Sequence, residues 1–241
     1  GESTVDILKL THEQTQALLD GDPRRSLEVG ERALALMKSQ PAVPDKLFGQ
    51  QYTSIGIGRF MLEEYAPARD AYAQAAAHYE KAKIRDEAAI AYELAGRAEL
   101  ELAHHEAALA LFRKSAELAT AVDPNGEQRV MARQGIGRAL VELGNVDDAI
   151  AELEWALPRL EARPKPARQA IGNTRLALAR ILWQRARPGD RDRAKAIAAL
   201  ALEDLRAHRA QFADAAGARA LYIRVADKQI ARAEKWLAEH K

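Results

Sequence analysis

The sequence has no cysteine and few aromatic residues, and each absence restricts what the protein can be. A chain of 241 residues without Cys cannot have disulfides, thiolate metal sites or a cysteine nucleophile. Aromatic residues make up only 5%, and much of the apolar content is alanine and leucine. This mixture favours closely packed helices over β-sheets. The absence of cysteine also fits a reducing cytoplasm, which is the expected location.

Long apolar segments are absent as well. No run approaches the ~20 residues that a transmembrane helix needs, so we expect no membrane partner. The first residues, GESTVDILKL, lack the basic and apolar regions of a signal peptide. They also lack an initiator Met, so we interpret Gly1 as a cloning remnant and the chain as a piece of a longer protein.

Charge is unevenly distributed along the chain, although the formal net charge is only +1. Residues 1–158 hold 17 Lys and Arg against 26 Asp and Glu, whereas residues 159–241 hold 19 against 9. Such asymmetry is typical of a chain with an acidic partner, or of two solvated faces that attract each other. We favour the second interpretation.

A segment recurs three times, at intervals of 40 and 41 residues. The copies are SIGIGRFMLEEYAPARDAYAQAA (54–76), LAGRAELELAHHEAALALFRKSA (94–116) and GIGRALVELGNVDDAIAELEWAL (135–157). The residues that align are Gly56, Gly96 and Gly137; Ala68, Ala108 and Ala149; Tyr72, Phe112 and Leu153; and Ala75, Ser115 and Ala156.

Each copy predicts two antiparallel helices in close contact. A small residue in the first helix lets the second approach, and the large residue fills the space beside it. Gly144–Asn145 ends the first helix of the third copy, because both residue types tolerate the left-handed conformation. One helix pair leaves apolar stripes uncovered, so neighbouring pairs must stack.

Weaker copies occur on both sides of these three. Residues 18–37 match with Gly21 at the turn, and residues 176–202 match with a turn lengthened through Pro188–Gly189–Asp190. We predict one domain over 1–241. Its repeats span about 5–40, 46–83, 86–122, 127–163 and 168–208, and a capping helix spans 211–240.

The spacing of small and large residues resembles the tetratricopeptide repeat (TPR), in the long form of about 41 residues typical of kinesin light chains and also found in bacterial signalling proteins. This resemblance implies an all-α fold, a right-handed superhelical α-solenoid of about five helix pairs with a C-terminal cap. Residues 175–202, followed by a last helix ending in AEKWLAEHK, also resemble the helical regions that follow the catalytic domain of myxobacterial serine/threonine kinases.

The TPR resemblance also implies a concave groove lined by the first helix of each pair. The groove positions are the residue after each small anchor (Gly56, Gly96, Gly137 or Ala179) and those three before and four after that anchor. They are Thr53, Ile57 and Phe60; Glu93, Arg97 and Leu100; Gln134, Arg138 and Val141; and Leu176, Arg180 and Trp183.

Three arginines, Arg97, Arg138 and Arg180, occupy one groove position at intervals of 41 and 42 residues. An arginine ladder would suit an acidic or phosphorylated peptide, because the guanidinium fork matches carboxylate and phosphate oxygens. The alternative is local pairing, since Glu93 lies four residues before Arg97 and Glu142 four after Arg138. Arg180 has no such neighbour, so we expect it to be the freest of the three.

No sequence pattern indicates catalysis, a cofactor or a metal site. His104 and His105 fall at a predicted turn, and adjacent helical residues do not face the same way. The GIG segments (56–58 and 135–137) lie inside predicted helices and lack the GK[ST] of a phosphate loop. The motifs of a protein kinase are absent too, so any such domain would lie outside this chain.

These patterns favour a protein–protein interaction scaffold or sensor within a larger bacterial signalling protein, with a peptide or helix of the partner in the groove. One alternative is self-association through the last helix, with Tyr222 and Trp236 as anchors. Another is nucleic-acid binding through the basic segment 159–241, in particular RARPGDRDRAK (185–195). Asp190 and Asp192 interrupt that run, and no aromatic stacking pattern accompanies it.

Overall fold

The computed structural model describes residues 2–212 and 220–241, and within these ranges every regular element is an α-helix. The all-α fold class is therefore confirmed. The helices are α1 (Glu2–Leu19), α2 (Pro23–Lys38), α3 (Asp45–Met61), α4 (Tyr65–Lys81), α5 (Arg85–Glu101), α6 (His105–Val122), α7 (Glu127–Glu142), α8 (Val146–Glu161), α9 (Arg168–Arg185), α10 (Asp190–Ala210) and α11 (Ala220–Glu239).

The chain forms two compact units, Gly1–Gln128 and Arg129–Lys241. In the first unit, α1 packs on α2, α3 on α4 and α5 on α6, and the successive pairs also pack on each other. In the second unit, α8 packs on α9, α9 on α10 and α10 on α11. A single solenoid domain over 1–241, with the repeat boundaries given above, stays a prediction.

The aligned glycines lie where two helices of a pair come closest. A Cβ built on any of the three would lie 2.5–2.7 Å from a buried side chain of the second helix, nearer than van der Waals contact permits. The pairs are Gly56 with Tyr72, Gly96 with Phe112, and Gly137 with Leu153. This is the small-against-large contact that the repeat alignment predicts.

One hydrogen-bonded motif, with or without glycine, forms the turns between α1 and α2, α3 and α4, α5 and α6, and α7 and α8. Gly144 is left-handed (φ 73°), and the next N–H, that of Asn145, donates to the carbonyl of Leu140 at 3.0 Å. Glu63 and Ala103 take the same conformation at the corresponding turns, with φ near 60°. The motif satisfies carbonyls at the end of the first helix, so it forms even where a side chain must bear left-handed strain.

Alanines fill the contact between successive pairs. In the first unit, Tyr79 of α4 packs with Ala75 and Ala76 of its own helix and with Ala88 and Ala91 of α5. Small side chains allow the backbones of α4 and α5 to lie close together. This explains why alanine dominates the apolar composition.

The predicted capping helix, 211–240, corresponds in part to α11. The helix described begins at Ala220, and residues 213–219 of the prediction lie outside the described residues. Helix α11 packs on α10 and also reaches α9, where Gln169 Nε2 donates to Gln229 Oε1 at 3.0 Å. It therefore covers the last helix pair, as a cap must.

None of the described helices combines the length and the apolar character that crossing a lipid bilayer requires.

Candidate functional site

The predicted groove residues lie on α3, α5, α7 and α9, the first helices of their pairs. Among the twelve, Glu93, Gln134 and Val141 are buried, and Arg180 is exposed. The other eight are partly exposed. Three of the twelve positions therefore point into the packing, while nine are accessible, and the assignment of these positions to a binding groove stays a prediction.

Arg97 is held by the carboxylate four residues before it. Its Nε donates to Oε1 of Glu93 at 2.8 Å. The Glu93 side chain is 4% exposed, whereas that of Arg97 is 41% exposed. The charge of Glu93 is the main reason why the pKa of Arg97 is raised. The local pair expected from the sequence is thus present, and it leaves the outer side of the guanidinium accessible.

Arg180 is the most exposed of the three arginines, but it too has a carboxylate partner, which the sequence did not indicate. Its Nη1 donates to Oε1 of Glu142 at 2.6 Å, across from α9 to α7. The sequence rule considered only partners within the same helix, whereas Glu142 precedes Arg180 by 38 positions. Stacking of the two helix pairs brings these residues together, which a within-helix rule cannot show.

The three arginines are divided between the two units. Arg97 belongs to the first unit, and Arg138 and Arg180 belong to the second. Arg138 is half-buried. A ladder running through all three positions stays a prediction.

The apolar groove positions differ in how far they are covered. Phe60 is partly exposed and packs edge-on against Tyr65, with ring centroids 5.1 Å apart. Trp183 contacts the last helix instead, with Trp236 edge-on at 5.8 Å and His240 at 4.9 Å. Phe60 remains available to a partner, while Trp183 serves the packing of α11 on α9.

The histidine pair at the turn between α5 and α6 does not build a metal site. His104 Nδ1 lies 2.7 Å from Oε2 of the buried Glu99, whose other oxygen accepts from Arg69 at 3.1 Å. One ring is therefore engaged with a carboxylate that an arginine already balances. In the ranges described, no group of three or more His, Asp and Glu side chains is placed to hold a metal ion.

The basic run 185–195 is largely engaged within its own unit. Arg185 donates two hydrogen bonds to the buried Asp190, from Nε to Oδ2 at 2.8 Å and from Nη2 to Oδ1 at 2.9 Å. The backbone N–H of Arg187 donates to Oδ2 of the same carboxylate at 3.0 Å. The hydrogen bonds from Arg185 lower the pKa of Asp190 to about 2. Two more cations are occupied: Arg191 lies over the Trp183 ring at 4.7 Å, and Arg193 pairs with Glu154 at 2.8 Å.

The two aromatic anchors considered for self-association also have partners inside the chain. Tyr222 stacks on Phe212 with centroids 5.6 Å apart, and Trp236 contacts both Trp183 and His240. The apolar side of α11 that carries Trp236 is thus covered by α9. A dimer through these rings would have to displace contacts that already exist.

Comparison with known proteins shows which fold the chain has. No protein-family model matches the sequence, and no curated protein matches it. The solved structure of BtubC (BKLC) from P. vanneervenii is similar with a TM-score of 0.67 and 16% identity, over 83% of this chain and 80% of that chain. A kinesin light chain-like protein of Podosopora anserina with nearly identical TPR-like repeats has a TM-score of 0.61 and 13% identity, over 84% and 96%.

A third solved structure, the Rap conjugation gene regulator of the plasmid pLS20, was determined in complex with the Phr* peptide. It has a TM-score of 0.63 and 16% identity, over 99% of this chain and 64% of that one. At such identities the likeness shows the fold alone. The chain has the TPR-like helical-repeat fold, as the spacing of its small and large residues predicted.

Proposed function

We propose, from the TPR-like fold, that this chain is a protein-interaction module that binds a peptide or helix of a partner along the first helices of its pairs. Arg97 is the observation that carries this proposal. With Nε bound to Glu93, its Nη1 and Nη2 have no hydrogen-bond partner among the residues described. These two nitrogens form the fork that binds a carboxylate or phosphate in two parallel hydrogen bonds.

The setting of Arg97 prepares it for binding. Glu93 is nearly inaccessible to water and fixes the guanidinium before any partner arrives. A side chain that is already ordered loses less conformational entropy on binding. Arg180 has a similar arrangement in the second unit, where Glu142 holds one side of a guanidinium that is 41% exposed. Both arginines therefore favour an acidic or phosphorylated partner segment.

Apolar contact would come from the neighbouring groove positions. Ile57, Phe60 and Leu100 are partly exposed on α3 and α5 of the first unit. Partly buried aromatic and aliphatic groups beside an arginine are the composition typical of binding hot spots. The partner we propose is a short segment with an acidic or phosphorylated residue and an apolar residue nearby.

The wider setting is part of the proposal. The peptide complex of the Rap regulator supports peptide binding as a use of this fold. The resemblance to helical regions of myxobacterial kinases supports a scaffold or sensor role inside a larger bacterial signalling protein, in the cytoplasm. Nothing in this role requires a cofactor or catalysis by the chain itself.

Two alternatives have less support. The rings of Tyr222 and Trp236 are engaged within the chain, which disfavours dimerisation through them. Four of the five cations of the run 185–195 contact a carboxylate or Trp183, which disfavours phosphate binding by that run.

An array of acidic, phosphorylated and uncharged peptides tests the proposal. The decisive variant is the double change Glu93→Gln/Arg97→Gln, because it keeps the net charge constant and leaves no buried carboxylate unpaired. The wild type should bind charged peptides with micromolar affinity, and the double variant should lose about tenfold or more.

The matched control is Arg113→Gln, which removes an exposed cation from α6, a second helix. It should bind like the wild type. Equal binding by the wild type and a folded Glu93→Gln/Arg97→Gln variant would show that Arg97 is not a recognition residue. Failure of the wild type to bind any peptide would remove the acidic-peptide proposal altogether.

A further inference from the structure

Three arginines surround one indole ring in the second unit. The guanidinium carbons of Arg133, Arg159 and Arg129 lie 3.7, 4.1 and 5.0 Å from the centroid of the Trp155 ring. Cations so close together on one side chain repel each other, and each gains from the negative face of the ring. We call Trp155 and these three arginines the tryptophan–arginine cluster.

The fold holds this cluster in place. Arg129 and Arg133 lie at the start of α7, while Trp155 and Arg159 lie near the end of α8. Trp155 packs on a buried group at the same end of the pair, made of Val130, Ala156, Leu160 and Ile171. The ring is thus a fixed platform.

Within the described residues, one arginine of the cluster, Arg159, has no carboxylate partner. Arg133 Nε donates to Oε2 of Glu152 at 2.7 Å, which accounts for one pair. Arg159 is exposed, and its Nη1 donates to the backbone carbonyl of Trp155 at 2.8 Å. Among the described residues, no carboxylate lies within ion-pair distance of Arg159. The second unit as a whole has 22 Lys and Arg against 14 Asp and Glu.

Stacking on the ring leaves the arginines ready to bind an anion. A stacked guanidinium uses its flat face, and its N–H donors point outward in the plane. Nε and Nη2 of Arg159 have no hydrogen-bond partner among the described residues. A carboxylate placed there would form charge-assisted hydrogen bonds and would also screen the repulsion between the arginines.

The geometry favours a protein partner over nucleic acid. Nucleic-acid sites of mixed sequence combine phosphate contacts with aromatic rings on which bases stack. Here the ring of Trp155 already has arginines over it at 3.7 and 4.1 Å, so no base can stack there. Carboxylates need only the outward N–H donors.

We infer that the tryptophan–arginine cluster is a second interaction surface, which binds an acidic segment, rich in Asp and Glu, of a partner protein. It is distinct from the groove, because Arg133 precedes Arg138 by five residues and therefore lies about 140° away around α7. A partner could engage the groove and this cluster independently.

Binding of a labelled Glu-rich peptide, followed by fluorescence anisotropy at physiological salt, tests this surface. Arg159→Gln should weaken binding about tenfold, because it removes a guanidinium that has no carboxylate partner among the described residues. Glu152→Gln should strengthen binding several-fold, because the peptide no longer competes with Glu152 for Arg133. A merely structural role for Glu152 would predict no gain.

The pair Arg193–Glu154 provides matched controls in the same unit. Arg193→Gln and Glu154→Gln make the same charge changes without removing a contact of the Trp155 ring or of its arginines, so they should alter affinity less than about twofold. If they match Arg159→Gln and Glu152→Gln, the effect is general electrostatics and the proposed surface is refuted. It is also refuted if the wild type does not bind, or if Arg159→Gln changes nothing.

Two further arms separate the alternatives. Loss of peptide binding in Glu93→Gln/Arg97→Gln, with no loss in Arg159→Gln, would place the acidic peptide in the groove and overturn the present inference while supporting the function proposed above. Tighter binding of a DNA duplex than of the peptide, sensitive to Arg159→Gln, would assign the cluster to nucleic acid instead. Circular dichroism and thermal unfolding of each variant check that it is folded.

Discussion

Replacement of Gly96 by alanine tests whether the helix pairs depend on a missing side chain. A Cβ at this position would lie 2.7, 2.9 and 3.0 Å from three ring carbons of Phe112. Phe112 is fully buried, so its ring cannot move aside. Overpacking of this kind costs ~1–3 kcal/mol, whereas glycine to alanine inside a helix otherwise gains ~1 kcal/mol.

The overpacking cost should win, because three contacts fall far inside the normal separation and the neighbour is a rigid ring. With an overpacking cost of ~3 kcal/mol and a helix-propensity gain of ~1 kcal/mol, we expect Gly96→Ala to lower the free energy of unfolding by ~2 kcal/mol, which corresponds to a melting temperature lower by roughly 4–8 °C. Urea denaturation followed by circular dichroism measures the loss. A gain of stability near the helix-propensity value would refute the packing argument.

Two further variants sharpen this test. Gly58→Ala is the matched control, because its Cβ would meet the flexible Leu27 side chain at 3.1 Å, and we expect it to be neutral or slightly stabilising. Gly96→Ala/Phe112→Leu should lose less stability than the sum of the two single changes, since both changes alter the same contact. Additive effects of the two changes would mean that they do not share a contact.

Two other predictions follow from the turns. Gly144→Ala should destabilise the fold by ~1 kcal/mol, because the φ of Gly144 is 73°. Ala103→Gly should stabilise it by ~0.5 kcal/mol, because it relieves the same left-handed strain. Urea denaturation measures both changes, and effects of the opposite sign would contradict the turn assignment. Hydrogen bonds from Arg185 lower the pKa of Asp190 from 3.8 to about 2. The stabilising contribution of Asp190 is therefore present above pH ~4 and is lost as the pH falls toward 2. Asp190→Asn should flatten this part of the curve of unfolding free energy against pH, and an unchanged slope would contradict the prediction.

The helix pairs could be predicted from the sequence because their contacts depend on the alternation of small and large residues. The glycines that pack against Tyr72, Phe112 and Leu153 recur at one position of the repeat. They identified both the period and the point where the two helices come closest, since only small residues permit that contact. The turn at Gly144 was predictable for the same reason. The repeat also located the turn at His104, but the left-handed conformation of Glu63 and Ala103 was not predictable, because neither residue type prefers it.

The candidate site was harder to predict, because its contacts join residues far apart in sequence. Spacing within a helix found the pair Glu93–Arg97 but missed Glu142 as the partner of Arg180. Spacing within α8 places Arg159 four residues after Trp155, but no such rule would have found Arg129 and Arg133, which come from α7.

The equal spacing of the glycine contacts affects how the chain reaches its fold. In each of the three pairs the large residue follows the glycine by 16 positions, so the first helix of one pair could also accept the second helix of another pair or another molecule. The short turn favours the correct partner, because it keeps that helix at a high effective concentration. Lengthening the turn at Gly144 would weaken this preference and favour domain-swapped dimers during refolding at high protein concentration.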